Sequence, residues 1–243
     1  MRTEAQIFYL ILTTIGLETN NSVGVSPNIM DAVSSTPQSA ARPPQPAARR
    51  KAPAQRRAEV IEAAAAIAVR DGLDKVTAKR VAAAIGVHAG LVDHYFTADQ
   101  LVAAAFALAA AAESDEVFGE AEAIPDAPGK IRHLLATWLS PGHDPLSLLW
   151  LDAWQASRHR PALRDEVTAQ MARDIDRLTV IIQGGAHRGE FTTAEPAVAA
   201  GQIFSLVDGL SVQAAIRGTI EYTYSQALVA VVTETILGVR LLT

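Results

Sequence analysis

The sequence predicts an all-α protein with two domains. The composition is 49% apolar, much of it alanine, and only 5% aromatic, which favours helices packed through small residues. Two short helical patterns separated by one glycine lie within residues 72–96, and longer helical patterns follow to the C-terminus. Residues 42–101 carry ten Lys/Arg against six Asp/Glu, whereas residues 102–243 carry ten against seventeen. The net charge of −5 hides this asymmetry, which indicates that one end meets an anionic partner.

Several function classes lack their sequence signatures. Cysteine is absent, which excludes disulfides, thiol catalysis and cysteine metal sites, and is compatible with a cytoplasmic location. The six histidines show no metal-ligand spacing, and there is no nucleophile elbow, phosphate-cradling loop or dinucleotide fingerprint. We therefore expect no enzymatic activity, no cofactor and no metal site.

Residues 1–53 are predicted to form a disordered extension. An apolar run at residues 7–17 is too short to span a bilayer, and we expect no membrane partner. From residue 22 the composition turns to Pro, Ser, Ala and Gln, which cannot bury enough apolar surface to fold. We expect translation to start at Met30; mass spectrometry of the natural protein showing earlier residues would contradict this.

The extension ends in a basic arm with no acidic residue before Glu59. The arm comprises Arg42, Arg49, Arg50, Lys51, Arg56 and Arg57. One interpretation is a solvated linker. The other is a flexible arm that adds sequence-independent attraction to phosphates and enters a minor groove, with Arg49, Arg50 and Lys51 in contact with DNA.

A domain at residues 54–101 is predicted to hold a helix-turn-helix, with the motif at about 77–96. A first helix over about 54–71 ends at Gly72. Its buried face would contain Val60, Ile61, Ala64, Ala65, Ala68 and Val69. Thr77 is a good N-cap for the next helix, and Gly86 supplies the positive φ of a sharp turn. The alternative is an αα-hairpin within an ordinary helical domain.

The short helices carry apolar residues at three- and four-residue spacing. The first has Val81, Ala82 and Ile85, and the second has Leu91, Val92 and Phe96. Small and polar residues lie between them, which suits a helix whose backbone approaches the major groove.

The stretch GLDKVTAKRVAAAIGVHAGLVDHYF resembles the N-terminal DNA-binding domain of the TetR family of transcriptional repressors. The resemblance implies that one set of residues contacts DNA: Thr77, Lys79, His88, Ala89, Gly90, His94 and Tyr95. Tyr95 has an alternative position partly in the core.

Three residues depart from the family pattern. His88 replaces the usual Ser or Thr cap, and Asp93 stands where Tyr is common. Asp99 replaces a Lys that commonly opens the fourth helix. Asp93 would be repelled by phosphate, but it could accept from cytosine or pair with Arg80. These changes bear on DNA sequence and affinity more than on binding itself.

Residues 102–243 are predicted to form an effector-binding and dimerisation domain. Helices are expected from about residue 98, over 130–139 and 146–159, and from Pro161 to Arg188, with Pro at the first turn. The stretch RHRPALRDEV…GAHRGEF resembles the C-terminal domain of BetI-like members of the same family.

The last two helices are predicted over 195–215 and 222–240. The resemblance implies that they pair with their copies in a four-helix dimer interface, with burial inside one subunit as the alternative. The interface residues would be Phe204, Val207, Leu228, Val231, Val232 and Thr235.

Aromatic and acidic residues of the body could surround a pocket for a small-molecule effector. The candidates are Trp138, Trp150, Trp154, Met171, Ile175, Phe204 and Asp208, with Asp152 as a further acid. Aromatic faces with a carboxylate would suit a cation. The alternative is that these are packing residues and exposed acids.

The sequence therefore predicts a homodimeric regulator, most simply a ligand-responsive repressor, that binds a pseudo-palindrome in double-stranded DNA. A helical protein that binds a small molecule or partner without DNA is the second hypothesis, and an enzyme on this fold is the third.

Overall fold

A computed structural model describes residues 52–216 and 223–241. Within those ranges the chain is all-α, as predicted, and contains no β-strand. The helices are α1 Pro53–Asp71, α2 Ala78–Ala84, α3 Ala89–Tyr95, α4 Ala98–Glu122, α5 Ala127–Trp138, α6 Asp144–Ser157, α7 Pro161–His187, α8 Pro196–Ser211 and α9 Thr223–Leu237. Short 3₁₀ turns occupy Leu73–Lys75, Pro141–His143 and Val212–Ile216.

Most helix bounds lie within a few residues of the predicted ones. The first helix begins at Pro53, one residue before the predicted position, so the extension ends one residue sooner. Pro128 was expected to end the fourth helix, but it lies in the first turn of α5, where Asp126 accepts from the Gly129 amide. Arg49, Arg50, Lys51 and the Met30 start lie outside the described residues.

The turns after α1 and α2 follow from local sequence signals. The Thr77 hydroxyl accepts from the Arg80 amide at 3.3 Å, which caps α2 as expected. Gly72 has φ +97° and Gly86 has φ +69°, both in the region that glycine tolerates best. His88 precedes α3 and makes no side-chain capping bond, which agrees with its being a poorer cap.

We call residues 53–96 the head and the described residues from 97 onward the body. The head contributes apolar side chains from α1, α2 and α3 to a cluster that continues into α4, α6 and the start of α7. Val60, Val81 and Val92 lie in this cluster together with Phe106 of α4 and Leu149 of α6. The head and the adjacent body therefore share one core, which crosses the predicted boundary at residue 101.

A second apolar cluster occupies the far half of the body. It contains Phe118 from the end of α4, Ile131 from α5, Ile182 from α7 and Ile203 from α8. Along α4 the first cluster ends at Ala110 and the second begins at Val117. The intervening turn, and the matching turn of α7, carry polar side chains.

One described stretch, Pro196–Ile216, is long and apolar enough to cross a membrane by length and composition, with a mean hydropathy of 1.2. Core helices pass the same test. In this protein Ala199, Ala200 and Ile203 of that stretch are buried in the second cluster.

Candidate DNA-binding face and interior cavity

The residues predicted to contact DNA lie on one small part of the head. Thr77 and Lys79 are exposed at the start of α2, and His88, Gly90 and His94 are exposed on and before α3. Ala89 is half-buried at the first turn of α3. The apolar residues of the same two helices point inward, so the structure separates a polar outer face from the core. Contact with DNA remains a prediction for these residues.

Tyr95 combines both of its predicted environments. It is half-buried and packs against the first cluster, while its ring meets that of His94 edge-on at 5.4 Å between centroids. The tyrosine therefore fixes the outward position of His94 at the end of α3.

The cations near this face are distributed unequally between internal pairs and solvent. Arg80 donates to Asp71 at 2.6 Å, so the predicted pairing of Arg80 with Asp93 is wrong. The same Asp71 also accepts from Arg70, and this hydrogen bond, more than Arg80, lowers the pKa of the carboxyl. Lys79 has no ion-pair partner among the described residues.

Two arginines of the predicted basic arm belong instead to helix α1. Arg56 donates to Glu59 at 2.6 Å, one turn along the same helix. The guanidinium of Arg57 lies over the Phe96 ring at 4.8 Å from its centroid, a cation–π contact at the end of the head. Both cations therefore stabilise the head, which leaves the arm's flexible part to residues before 52.

Asp99 is directed toward the body. Its carboxylate accepts from the Ala162 amide at 3.3 Å and lies 3.9 Å from Arg160, so it caps the start of α7. The local cap of α4 is provided by Thr97 and Gln100, which form a reciprocal capping box. The departure from the family pattern at Asp99 therefore has a structural reason inside the fold.

A cavity lies between the two apolar clusters of the body. It contains about 590 Å³ of empty space, part of it open to solvent. All seven residues predicted for an effector pocket line it: Trp138, Trp150, Trp154, Met171, Ile175, Phe204 and Asp208. Whether an effector binds there stays a prediction.

Sequence reasoning missed the polar floor of this cavity. Glu113 and Ser114 come from α4, His143 from the turn before α6, and Asp174 from α7. Ser114 and Asp174 were recognisable as polar residues within otherwise apolar helical faces, but only the fold shows that the two faces meet. Asp152 does not reach the cavity, because its carboxylate accepts from the Leu73 amide of the head at 3.2 Å.

Asp174 is the centre of a hydrogen-bond network. It accepts from the Ser114 hydroxyl at 2.6 Å and from the Gln170 amide at 2.9 Å. Arg177 donates to Ser114 at 3.1 Å and to Asp115 at 2.8 Å, and its guanidinium lies 4.5 Å from the centroid of the Phe118 ring. The network fixes one turn of α7 against one turn of α4.

Burial disfavours the charged forms of the groups in the cavity. Desolvation, with repulsion from Asp174, raises the pKa of Glu113 to about 8, although the Trp138 indole donates to it. Desolvation and the same repulsion raise the pKa of Asp208 to about 6. Desolvation also raises the pKa of Asp174 and lowers that of His143 to about 4. At neutral pH the cavity therefore holds an uncharged Glu113 beside an uncharged His143.

Aromatic rings form the walls above this floor. Trp150 and Trp154 lie 5.7 Å apart between ring centroids on successive turns of α6, and Trp138 lies 5.0 Å from Phe204. Trp150 also meets Phe106 edge-on at 4.9 Å. The described residues contain no group of three or more His, Asp or Glu placed to hold a metal ion.

The outer faces of α8 and α9 expose apolar side chains. About half of the Val198, Val212, Leu228 and Val231 surface is accessible, and Thr235 lies on the same face of α9 as Leu228. Val232 is half-buried. Two predicted interface residues need correction: Val207 is only 5% exposed within a single chain, and Phe204 packs on Trp138, because this side of α8 faces the cavity.

Comparisons with known proteins agree with this architecture. The family model for the C-terminal domain of BetI-type transcriptional repressors matches residues 128–238. A search of curated proteins found no match. Among solved structures, the chain is similar to a TetR-family transcriptional regulator from Rhodococcus sp., with a TM-score of 0.64 and 21% identity over 76% of this chain and 99% of that one.

Two further solved structures have the same fold. A transcriptional regulator from Pseudomonas aeruginosa PAO1 gives a TM-score of 0.61 and 21% identity over 78% of this chain and 93% of that one. A regulator from Saccharomonospora viridis, solved in complex with choline, gives 0.61 and 20% over 72% and 94%.

Proposed function

We propose that this chain, whose fold is that of TetR-family transcriptional regulators and whose residues 128–238 belong to the BetI-type repressor family, represses transcription as a ligand-responsive homodimer on DNA. The observation that carries the proposal is the outer face of α2 and α3. It combines an unpaired Lys79, small residues at the first turn of α3 and exposed His88 and His94 on a rigid support. Small residues admit the backbone to a major groove, and the polar groups reach phosphates and base edges.

A dimer would present two such faces to one side of the duplex. The half-exposed apolar residues of α8 and α9 supply a surface that water disfavours and that a second copy would cover. The two α3 helices would then enter successive major grooves about 34–36 Å apart. Leu228→Glu should convert the dimer to a monomer in analytical ultracentrifugation, whereas the exposed Val180→Glu on α7 should not.

The cavity supports a response to a small molecule. α6 carries Trp150 and Trp154 into the cavity, and Asp152 between them accepts from the Leu73 amide of the head. A ligand that favours one position of α6 would shift the population of head positions, to the extent that it binds the two states differently. The neighbouring regulator solved with choline supports a small-molecule site on this fold.

Fluorescence anisotropy with duplexes from upstream of the gene, against a scrambled duplex at physiological salt, tests DNA binding. We expect the specific duplex to bind at least about 10³-fold more tightly than the scrambled one. Lys79→Ala should weaken binding to both and lower the salt slope by about one, because it removes one phosphate contact. His94→Ala should also weaken binding.

Arg132→Ala, which removes an exposed cation from α5 of the body, is the matched control and should leave both values unchanged. If selection from a random duplex library also enriches no sequence, the DNA-binding proposal fails. A ligand-binding protein without DNA contact, which the cavity favours independently, then becomes the leading function.

A further inference from the structure

The cavity combines three carboxyl groups with a shortage of compensating positive charge. Glu113, Asp174 and Asp208 line it from three different helices. His143, at 3.7 Å from Glu113, is the imidazole among the lining residues, and burial keeps it uncharged at neutral pH. Hydrogen-bond donors from the protein satisfy Asp174 in particular, which leaves Glu113 and Asp208 to respond to whatever enters.

The nearest cations are held at the rim. Arg177 is bound to Asp115 and Ser114 and lies over Phe118, and Arg173 donates to Gln170. Both favour ionised carboxylates in the cavity, but desolvation outweighs them at Glu113, which also faces Asp174 and Glu116. The empty cavity therefore keeps protons on groups that would ionise if a positive charge lay beside them.

We infer that the cavity takes an organic cation, held between its tryptophan faces, in exchange for a proton released from Glu113. The effector class rests on the function proposed above. The proton passes to solvent and the cation replaces it, so the net charge of the cavity is conserved. Asp208 makes the same exchange at lower pH.

Two features favour an organic cation over a metal ion. The described carboxyl groups do not converge in a set that could ligate one ion, so the positive charge must be spread over a larger body. Trp150, Trp154 and Trp138 supply faces whose negative electrostatic potential attracts such a cation, and tryptophan is the best side chain for this. A cavity of about 590 Å³ has room for a cation with an apolar group attached.

The sign of the pH dependence distinguishes ligand classes. Binding that releases one proton gains up to about tenfold in affinity per pH unit until the free group is already ionised. Affinity for a cation should therefore rise from about pH 6 and level off above about pH 8, where the Glu113 pKa lies. Affinity for a neutral ligand should be flat over this range, and affinity for an anion should fall.

Isothermal titration calorimetry of the full chain without DNA tests the exchange. The probes are benzyltrimethylammonium, (2-hydroxyethyl)trimethylammonium and the uncharged carbon isostere of the latter, 3,3-dimethylbutan-1-ol. Quaternary ammonium groups carry the same charge at every pH, so any slope comes from the protein. We expect binding of a cation at least tenfold tighter than of the isostere at pH 8.5, with proton release measured in buffers of different ionisation enthalpy.

Variants assign the proton. Glu113→Gln keeps the shape but cannot ionise, so cation affinity should fall at least tenfold at pH 8.5 and its slope between pH 6 and 8 should disappear. Asp208→Asn should remove the slope below about pH 6 only, and it serves if the first variant does not fold. Glu122→Gln, an exposed carboxyl on the same helix, is the control that should change neither value.

Three results would overturn the inference: no binding of either cation, equal binding of the isostere, or a slope unchanged in both cavity variants. Binding of the cation with no effect on any DNA complex would leave the inference standing and count against the proposed regulator. Selective DNA binding with affinity only for neutral or anionic ligands would do the reverse.

Discussion

The outer face of the head and the floor of the cavity use the same kinds of side chain under opposite conditions of hydration. His94 and Asp93 are exposed beside a half-buried Tyr95, whereas His143 and Asp174 are enclosed beside tryptophans. Water solvates the first set, which is free to adjust to a partner. Burial sets the protonation of the second, because desolvation is the largest cause of its pKa shifts. The comparison teaches that enclosure, rather than residue type, determines what each surface can do.

The strongest test asks whether the two regions can be separated at all. Phe106 is fully buried where the head core meets α4 and α6, and it contacts Trp150. Phe106→Ala should lower the free energy of unfolding by about 3–5 kcal/mol, because it leaves a cavity in the shared cluster. Circular dichroism and tryptophan fluorescence should shift together in urea.

Leu148→Ala, which truncates a half-exposed side chain on α6, should cost well under the change at Phe106. Two separate transitions in the Phe106 variant would show that the head folds on its own core and would break the comparison.

The pH dependence of stability isolates the enclosed carboxyl. The pKa of Glu113 is raised in the folded chain from an ordinary 4.5 to about 8, so the stability linked to its neutral form is complete below 4.5 and is lost as pH rises to 8. The pKa of His143 is lowered from 6.5 to about 4, so its linked stability is present above 6.5 and is lost in acid. Only Glu113 is therefore expected to impose a slope between pH 6.5 and 8.

We expect wild type to lose up to about 1.4 kcal/mol per pH unit within that window, and Glu113→Gln to be flat there. Urea denaturation at several pH values measures both. Equal slopes in the two proteins would place the titrating group elsewhere.

The contact between Asp152 and the head links the two regions. Asp152→Ala removes the acceptor of the Leu73 amide and should cost about 1–3 kcal/mol. Ligand binding in the cavity should persist, while the effect of ligand on DNA affinity should shrink. Calorimetry and anisotropy on the same preparation measure the two, and an unchanged ligand effect would exclude this contact as the link. Asp165→Ala, an exposed acid on α7, is the control.

The smallest expected effect concerns the turn in the head. A side chain at Gly86 would meet no atom within 4 Å, but the φ of +69° disfavours it. Gly86→Ala should therefore cost about 1 kcal/mol through backbone conformation alone. Thermal unfolding measures it, with Gly119→Ala in α4, which also has open space, expected to be neutral or stabilising.

Local signals made the head predictable. The Thr77 cap, the Gly86 turn and the apolar spacing around Val81 all lie within about ten residues, and each acts through its own backbone. The helix content of the body followed from the same kind of signal. The seven predicted cavity residues were chosen for their chemistry, and the fold brings them to one cavity.

Tertiary contacts determined what the sequence could not predict. Glu113 follows an alanine run and resembles a solvated helical acid until α5 and α7 enclose it. Asp152 and Asp99 gained their partners, Leu73 and Ala162, from across the fold. Val207 was assigned to a dimer face because both sides of α8 are apolar, and spacing alone does not say which side faces inward.

The length of α4 converts small changes at the cavity into larger ones at the DNA-binding face. Glu113 lies fifteen residues from the helix start at Ala98, a distance of about 22 Å at 1.5 Å per residue. A tilt of about 5° with Glu113 as the pivot would move the head end of the helix by about 2 Å, and two copies moving oppositely would change their separation by about 4 Å. A ligand no larger than a substituted ammonium ion could thus control the spacing of two helices through a rigid lever.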